Sequence, residues 1–149
     1  MSHDPDTAQQ RLAALIGRWR TEGWTIATAS SPAVQIDATD TYEWLPGRFS
    51  ILHKVDARVG EEHVEGAEII GLNPTRDGYL TQYFGSDGPN AYEASLAEVG
   101  GALTWAMWSA ADRFTGAFSE DGDTITGHWE RLDDEGGWQP WMNVTLTRV

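Results

Sequence analysis

Residues 112–130 read Asp112-Arg113-Phe114-Thr115-Gly116-Ala117-Phe118-Ser119-Glu120-Asp121-Gly122-Asp123-Thr124-Ile125-Thr126-Gly127-His128-Trp129-Glu130. In the first half, Phe114, Gly116 and Phe118 alternate with Arg113 and Thr115. In the second, Ile125, Gly127 and Trp129 alternate with Thr124, Thr126, His128 and Glu130. A period of two turns one set of side chains to each side of a strand. Asp121-Gly122 between the halves is a hairpin signal, because glycine enters the left-handed region without steric cost. The stretch therefore predicts two antiparallel strands with one apolar face, covering a core on one side and meeting water on the other.

The same grammar extends in both directions. Period-two runs fall at about 18–28, 33–45, 48–59, 62–73, 78–85, 90–99 and 102–109 before the hairpin, and at 138–148 after it. Leu45-Pro46-Gly47-Arg48 suits a type II turn. Gly100-Gly101 suits a tight hairpin, while Asn73-Pro74 with Asp77-Gly78, Asp87-Gly88-Pro89 and residues 133–137 suit looser loops. Ten short strands with hairpin-length links form a meander, and a meander of that length leaves two bare edges unless it closes. Ahead of the strands, Asp4 is placed as a helix N-cap and Pro5 at the first helical position. Ala8, Leu12, Leu15 and Ile16 then form one narrow apolar stripe, and Gly17 is the stop. The expectation is an all-β, ten-stranded antiparallel up-and-down barrel with a short N-terminal helix as lid or plug. Residues 1–10 hold the tail and helix start, and 11–149 the barrel domain.

Composition narrows the partners. With 23 acidic against 10 basic residues the formal charge is −13, which argues against nucleic acid and anionic membranes, both of which need a basic surface. No cysteine is present, so disulfides and thiolate metal sites are excluded, and a reducing, cytoplasmic setting is expected. The polar, acidic start MSHDPDTAQQ does not read as a signal peptide, and no apolar run has the length of a membrane span. Eight tryptophans are more than closure of a small core requires and point to an aromatic-lined pocket. Ten strands enclose more space than eight, which side chains alone can fill.

Strand parity selects the inward residues. Phe49, Ile51, His53 and Val55 share a face, as do Asp40, Tyr42 and Trp44, and Met142, Val144, Leu146 and Arg148. In 62–73 and 102–109 large apolar groups fall on both faces, leaving Glu65 against Glu68 and Trp105 against Trp108 undecided. Apolar residues on an outer wall also leave a homodimer open.

Gly17-Arg18-Trp19 at the start of the first strand, with Arg148 on the last, resembles the closure of calycin barrels. In that superfamily the cation packs on the indole and seals one end. Thr41-Tyr42-Glu43-Trp44-Leu45, Gly47-Arg48-Phe49, Glu65-Gly66, Ile70-Gly71, the Phe114–Glu130 pattern and Thr147-Arg148 resemble the family called domain of unknown function 1579, over nearly the whole chain. The resemblance implies a barrel shaped like lipocalins, fatty-acid-binding proteins and haem-binding nitrobindins, with Trp19 and Arg148 closing it. It implies ligand binding only by analogy of shape.

The candidate ligand-binding residues are Tyr42, Trp44, Phe49, Ile51, His53, Phe114, Phe118, Trp129 and Met142, with Trp105 or Trp108 and Trp141 as further wall candidates. An inward His53 could anchor a polar group, ligate haem, act as an acid or base with Asp40, or simply hydrogen-bond a neighbour such as Tyr42. His128 reads as solvent-facing, which counts against haem held from a late strand, and His63 sits among turn residues. There is no Gly-x-Ser-x-Gly, no phosphate loop, no dinucleotide fingerprint and no metal-ligand spacing. The reading is a binder or carrier of a small hydrophobic molecule, with no cofactor required. A cofactor-free isomerase or cyclase using His53, and a haem protein, are the alternatives.

Overall fold

A computed structural model describes residues 7–75 and 77–149. Ten strands follow one another around a closed barrel: β1 (Gly17–Thr25), β2 (Gln35–Trp44), β3 (Ser50–Val59), β4 (Glu62–Leu72), β5 (Tyr79–Gly85), β6 (Gly88–Val99), β7 (Ala102–Trp108), β8 (Asp112–Phe118), β9 (Thr124–Leu132) and β10 (Trp138–Arg148). Every pairing is antiparallel, each strand pairs with its neighbours in sequence, and β1 pairs β10 to close the ring. The expected meander and its closure are thus present. Closure satisfies the backbone groups that an open edge would expose.

Turn chemistry sets the registers. Gly100 and Gly101 both lie at positive φ, 61° and 86°, and Val99 pairs Ala102, as a type I′ hairpin requires. Arg48 N–H donates to the Leu45 carbonyl with Gly47 at φ 88°, which is the expected turn. The link after β5 differs from expectation. It is a tight turn through Ser86-Asp87, with Gly85 paired to Gly88 and Pro89 already in β6 opposite Phe84. Pro89 is tolerated near a strand start, where its missing N–H costs least.

A short helix, Ala8–Arg11, continues as a 3₁₀ turn, Leu12–Leu15. Asp4 and Pro5 lie outside the described residues; the helix that is described is capped by Thr7, whose side chain accepts from Gln10 N–H in a reciprocal capping box. Leu12 and Leu15 are fully buried, so the helix plugs one end of the barrel. Its anchors are spread around that rim. Tyr79 donates to the Ala8 carbonyl (2.6 Å), Gln9 donates to the Arg48 carbonyl (2.8 Å), and Arg11 pairs with Asp77 (2.8 Å).

Trp19 and Arg148 are register partners on β1 and β10. The guanidinium carbon lies 4.1 Å from the indole centroid. Trp19 Nε1 donates to the Leu15 carbonyl (2.9 Å), and Phe118 meets the indole edge-on at 6.2 Å. Arg148 also donates to the carbonyls of Ile16, Ala14 and Gly122 and to Asp123. One guanidinium thereby satisfies carbonyls at the end of the plug, where the helix leaves them unpaired.

Two cross-strand glycine pairs make room for rings inside the wall. A Cβ at Gly116 or Gly127 would stand 2.8 or 2.4 Å from the Phe114 ring, and one at Gly66 or Gly85 2.5 or 2.1 Å from the Tyr83 hydroxyl. The outer wall carries exposed Ile69, Leu80 and Phe84 on β4 and β5, and half-exposed Trp108 on β7. No helix among the described residues is long and apolar enough to cross a membrane.

Candidate functional site

The barrel encloses a cavity of about 430 Å³. A packed layer of Trp19, Ile51, Ile70, Tyr79 and Phe118 lies beneath it, next to the plug, and none of the five lines it. The lining begins one step above that layer, at Thr21, Asp40, Tyr42, His53 and Glu68, and continues to Thr25, Glu62, Asp87 and Asp112 at the opposite rim. The end away from the helix is therefore the mouth. Aromatic walls come from Tyr83, Tyr92, Trp105, Phe114, Trp129 and Trp141, and aliphatic ones from Val55, Val64, Met107, Met142 and Val144 among others.

Trp129 is the hub of the aromatic wall. Phe114 (5.2 Å), Trp141 (5.9 Å) and Tyr92 (6.0 Å) all pack on it in tilted or edge-on geometry. Trp141 reaches the cavity because β10 shifts register between Pro140 and Met142, so Trp141 and its neighbour Met142 both line the chamber. A bulge of this kind re-aims one side chain without breaking the ladder on either side. Arg131 lies 4.6 Å from the Trp141 ring centroid.

The polar floor is a short chain of hydrogen bonds. His53 sits between two carboxylates: Nε2 is 2.7 Å from Asp40 Oδ1 and Nδ1 is 2.9 Å from Glu68 Oε1. Thr21 donates to the other Asp40 oxygen at 2.5 Å. The Tyr42 ring stacks flat on the imidazole, with centroids 4.0 Å apart and planes 7° apart. Burial opposes a charge on His53, but the hydrogen bonds and charges of Asp40 and Glu68 outweigh it and raise its pKa to about 9. His53 is thus an imidazolium near neutral pH, with both N–H groups donated to carboxylates. Tyr42 is pushed well above the ordinary phenol value, first by burial and then by the charges of Asp40 and Glu68, so its hydroxyl keeps its proton.

The residues expected to bind ligand divide by depth. Tyr42, His53, Phe114, Trp129 and Met142 line the cavity. Ile51 and Phe118 point inward but belong to the packed layer beneath. Trp44 packs against the core at the plugged end, with Arg48 5.8 Å from its ring centroid. Phe49 must be corrected: it precedes β3 in the turn and is 61% exposed, so its parity with Ile51 carries no inward placement. Asp40 is buried beside His53, where a pairing of the two requires it. Glu68 faces in and is only 4% exposed, while Glu65 faces out. Trp105 lines the cavity and Trp108 faces out.

Sequence reasoning left Glu68 undecided and overlooked Thr21, Tyr83, Asp87 and Asp112. One signal could have found Glu68. The β3–β4 link is the two-residue turn Gly60-Glu61, with Gly60 at φ 63°, and counting back from Val59 opposite Glu62 sets His53 opposite Glu68. His128 faces solvent as expected. His63 meets Asp56 (2.7 Å) and Glu65 (3.7 Å) on the outer wall.

A plugged, closed ten-stranded barrel with an aromatic chamber defines a class by shape, and sequence defines it further. The chain belongs to the family described as "Protein of unknown function (DUF1579)", which matches residues 4–148. No curated protein matches it. Among solved structures it is similar to Rv2717c from M. tuberculosis, with a TM-score of 0.70 and 12% identity over 95% of this chain and 97% of that one. It is also similar to the S-type phycobiliprotein lyase CPES from Guillardia theta, with a TM-score of 0.62 and 11% identity over 96% of this chain and 93% of that one. At these identities the likeness is one of fold.

Proposed function

We propose that the barrel binds and carries a small, predominantly apolar molecule in its chamber. The observation that carries this reading is the cavity of about 430 Å³, walled by aromatic and aliphatic side chains and floored by one compact polar cluster. Binding sites for small molecules share this design: an apolar wall supplies affinity and a few fixed polar groups supply orientation. That one barrel of similar fold is a phycobiliprotein lyase supports ligand binding or transfer as the kind of activity.

The geometry favours the carrier over the two alternatives. A general base needs a free ring nitrogen, and both nitrogens of His53 are engaged by carboxylates. A haem iron would need the lone pair of one of these nitrogens, and taking it would deprive the carboxylate on that side, Asp40 or Glu68, of the imidazole N–H it accepts. Native mass spectrometry of the protein purified from its own host, together with titration by a neutral polarity-sensitive dye, tests the proposal. A retained small molecule, or one-to-one dye binding that quenches tryptophan emission, is the expected result. A chamber that takes up neither overturns it.

A further inference from the structure

The charge inside the chamber is one-sided. Two carboxylates flank a single imidazolium at the floor, which leaves one formal negative charge there. Glu62, Asp87 and Asp112 add carboxylates toward the mouth, and no lysine or arginine is among the described residues that line the cavity. The one cation of the floor, His53, has already spent both its N–H groups. A carboxylate or phosphate seated on the floor would lose its water and meet no unengaged cation there.

The cluster also holds unspent hydrogen-bonding capacity aimed at the cavity. Glu68 gives Oε1 to His53, but its Oε2 accepts from no described residue, although the side chain is 4% exposed. The Tyr42 hydroxyl likewise bonds to no described residue, and Tyr42 is 7% exposed. Both atoms remain accessible from the chamber, so a guest can reach them. Here one is a bare carboxylate oxygen and the other a phenol, and both line the chamber. Above them stand the rings of Trp129, Trp141, Tyr92 and Phe114, and Trp141 already carries one cation, Arg131, on its ring.

We infer that the ligand carries a cationic or N–H-donating nitrogen head, seated against Glu68 Oε2 and Tyr42, on an apolar or aromatic body held by the tryptophan wall. Amines, amidines and protonated nitrogen heterocycles fit; fatty acids and other apolar anions do not. The inference rests on the carrier reading and names its ligand class.

Three probes of one shape separate the two ideas: 1-naphthylmethylamine, 1-naphthylmethanol and 1-naphthoate, each titrated into the wild-type protein by calorimetry at neutral pH. The expected order is amine, then alcohol, then carboxylate, with the amine about tenfold tighter than the alcohol, as a charge-assisted hydrogen bond would give. Glu68→Gln is expected to remove that preference while keeping the alcohol's affinity, since the amide oxygen can still accept from His53. Equal binding of all three, or a carboxylate that binds best, overturns the nitrogen-head inference and leaves the carrier standing. Failure of all three probes and of the neutral dye overturns both. Should Glu68→Gln lose its near-ultraviolet circular dichroism, the ranking on the wild-type protein decides alone.

Discussion

The two ends of the barrel handle charge in opposite ways. At the plugged end one partly buried cation, Arg148, is stacked on Trp19 and satisfied by the carbonyls of Ile16, Ala14 and Gly122 together with Asp123. At the chamber floor a single cation, His53, is outnumbered by carboxylates, one of which keeps an unengaged oxygen. The same wall of strands builds both. A closed network locks the fold, and an open one stays ready for a partner. The difference teaches that burial of a charge is not itself a functional sign; what matters is whether its hydrogen-bonding capacity is used up.

The contrast can be broken from either side. The largest effect is expected from Trp19→Ala, which removes a fully buried indole and the surface on which Arg148 rests; about 3–5 kcal/mol of stability should go. Chemical denaturation checks it, and a loss under 1 kcal/mol would mean that the plugged end does not hold the fold. His53→Ala leaves Asp40 and Glu68 facing each other in a buried space and should cost about 3 kcal/mol at neutral pH. The cost should shrink on acidification, once a carboxylate takes a proton.

The third test is pH. The His53 pKa is raised in the folded state, so its contribution is complete below the unfolded value near 6.5 and is lost as pH climbs through about 9. Wild-type stability should decline by up to about 3 kcal/mol across that window, and the His53→Ala variant should lack this decline. Gly127→Ala should cost about 1–3 kcal/mol, because its methyl would strike the Phe114 ring and push it into the chamber. Probe binding should weaken with it. The smallest effect on stability, about 1 kcal/mol or less, is expected for half-buried Trp141→Ala at the mouth, which should instead lower ligand affinity. Equal losses in binding for Trp19→Ala and Trp141→Ala would erase the division between the two ends.

Most of the architecture could be read from sequence, since period-two runs cut by glycine turns leave few alternatives. The closure pair was readable because β1 and β10 must meet. The site was readable only by face. Parity put Tyr42, Ile51, His53, Phe114 and Phe118 inside but could not say how deep. Ile51 and Phe118 fall below the chamber floor, and the others reach it. Depth comes from registers accumulated around the ring, and a two-residue turn is needed to fix each one. Glu68 was hidden because β4 places apolar residues on both sides, Val64 and Ile70 within, Ala67 and Ile69 without. Trp141 depended on a bulge whose one local sign is Pro140 within the strand, and Phe49 misled because its turn consumes the residue that would have begun the strand.

The seam between β1 and β10 has a consequence for how the chain is made. Nine of the ten pairings join strands adjacent in sequence, and this one joins residues 19–25 to residues 142–148. On a translating ribosome the hairpins can zip up in order, yet the first strand keeps a bare flank until the last has left the exit tunnel. The nascent chain therefore stays sticky until β10 emerges, and that strand also delivers the arginine that caps the tryptophan.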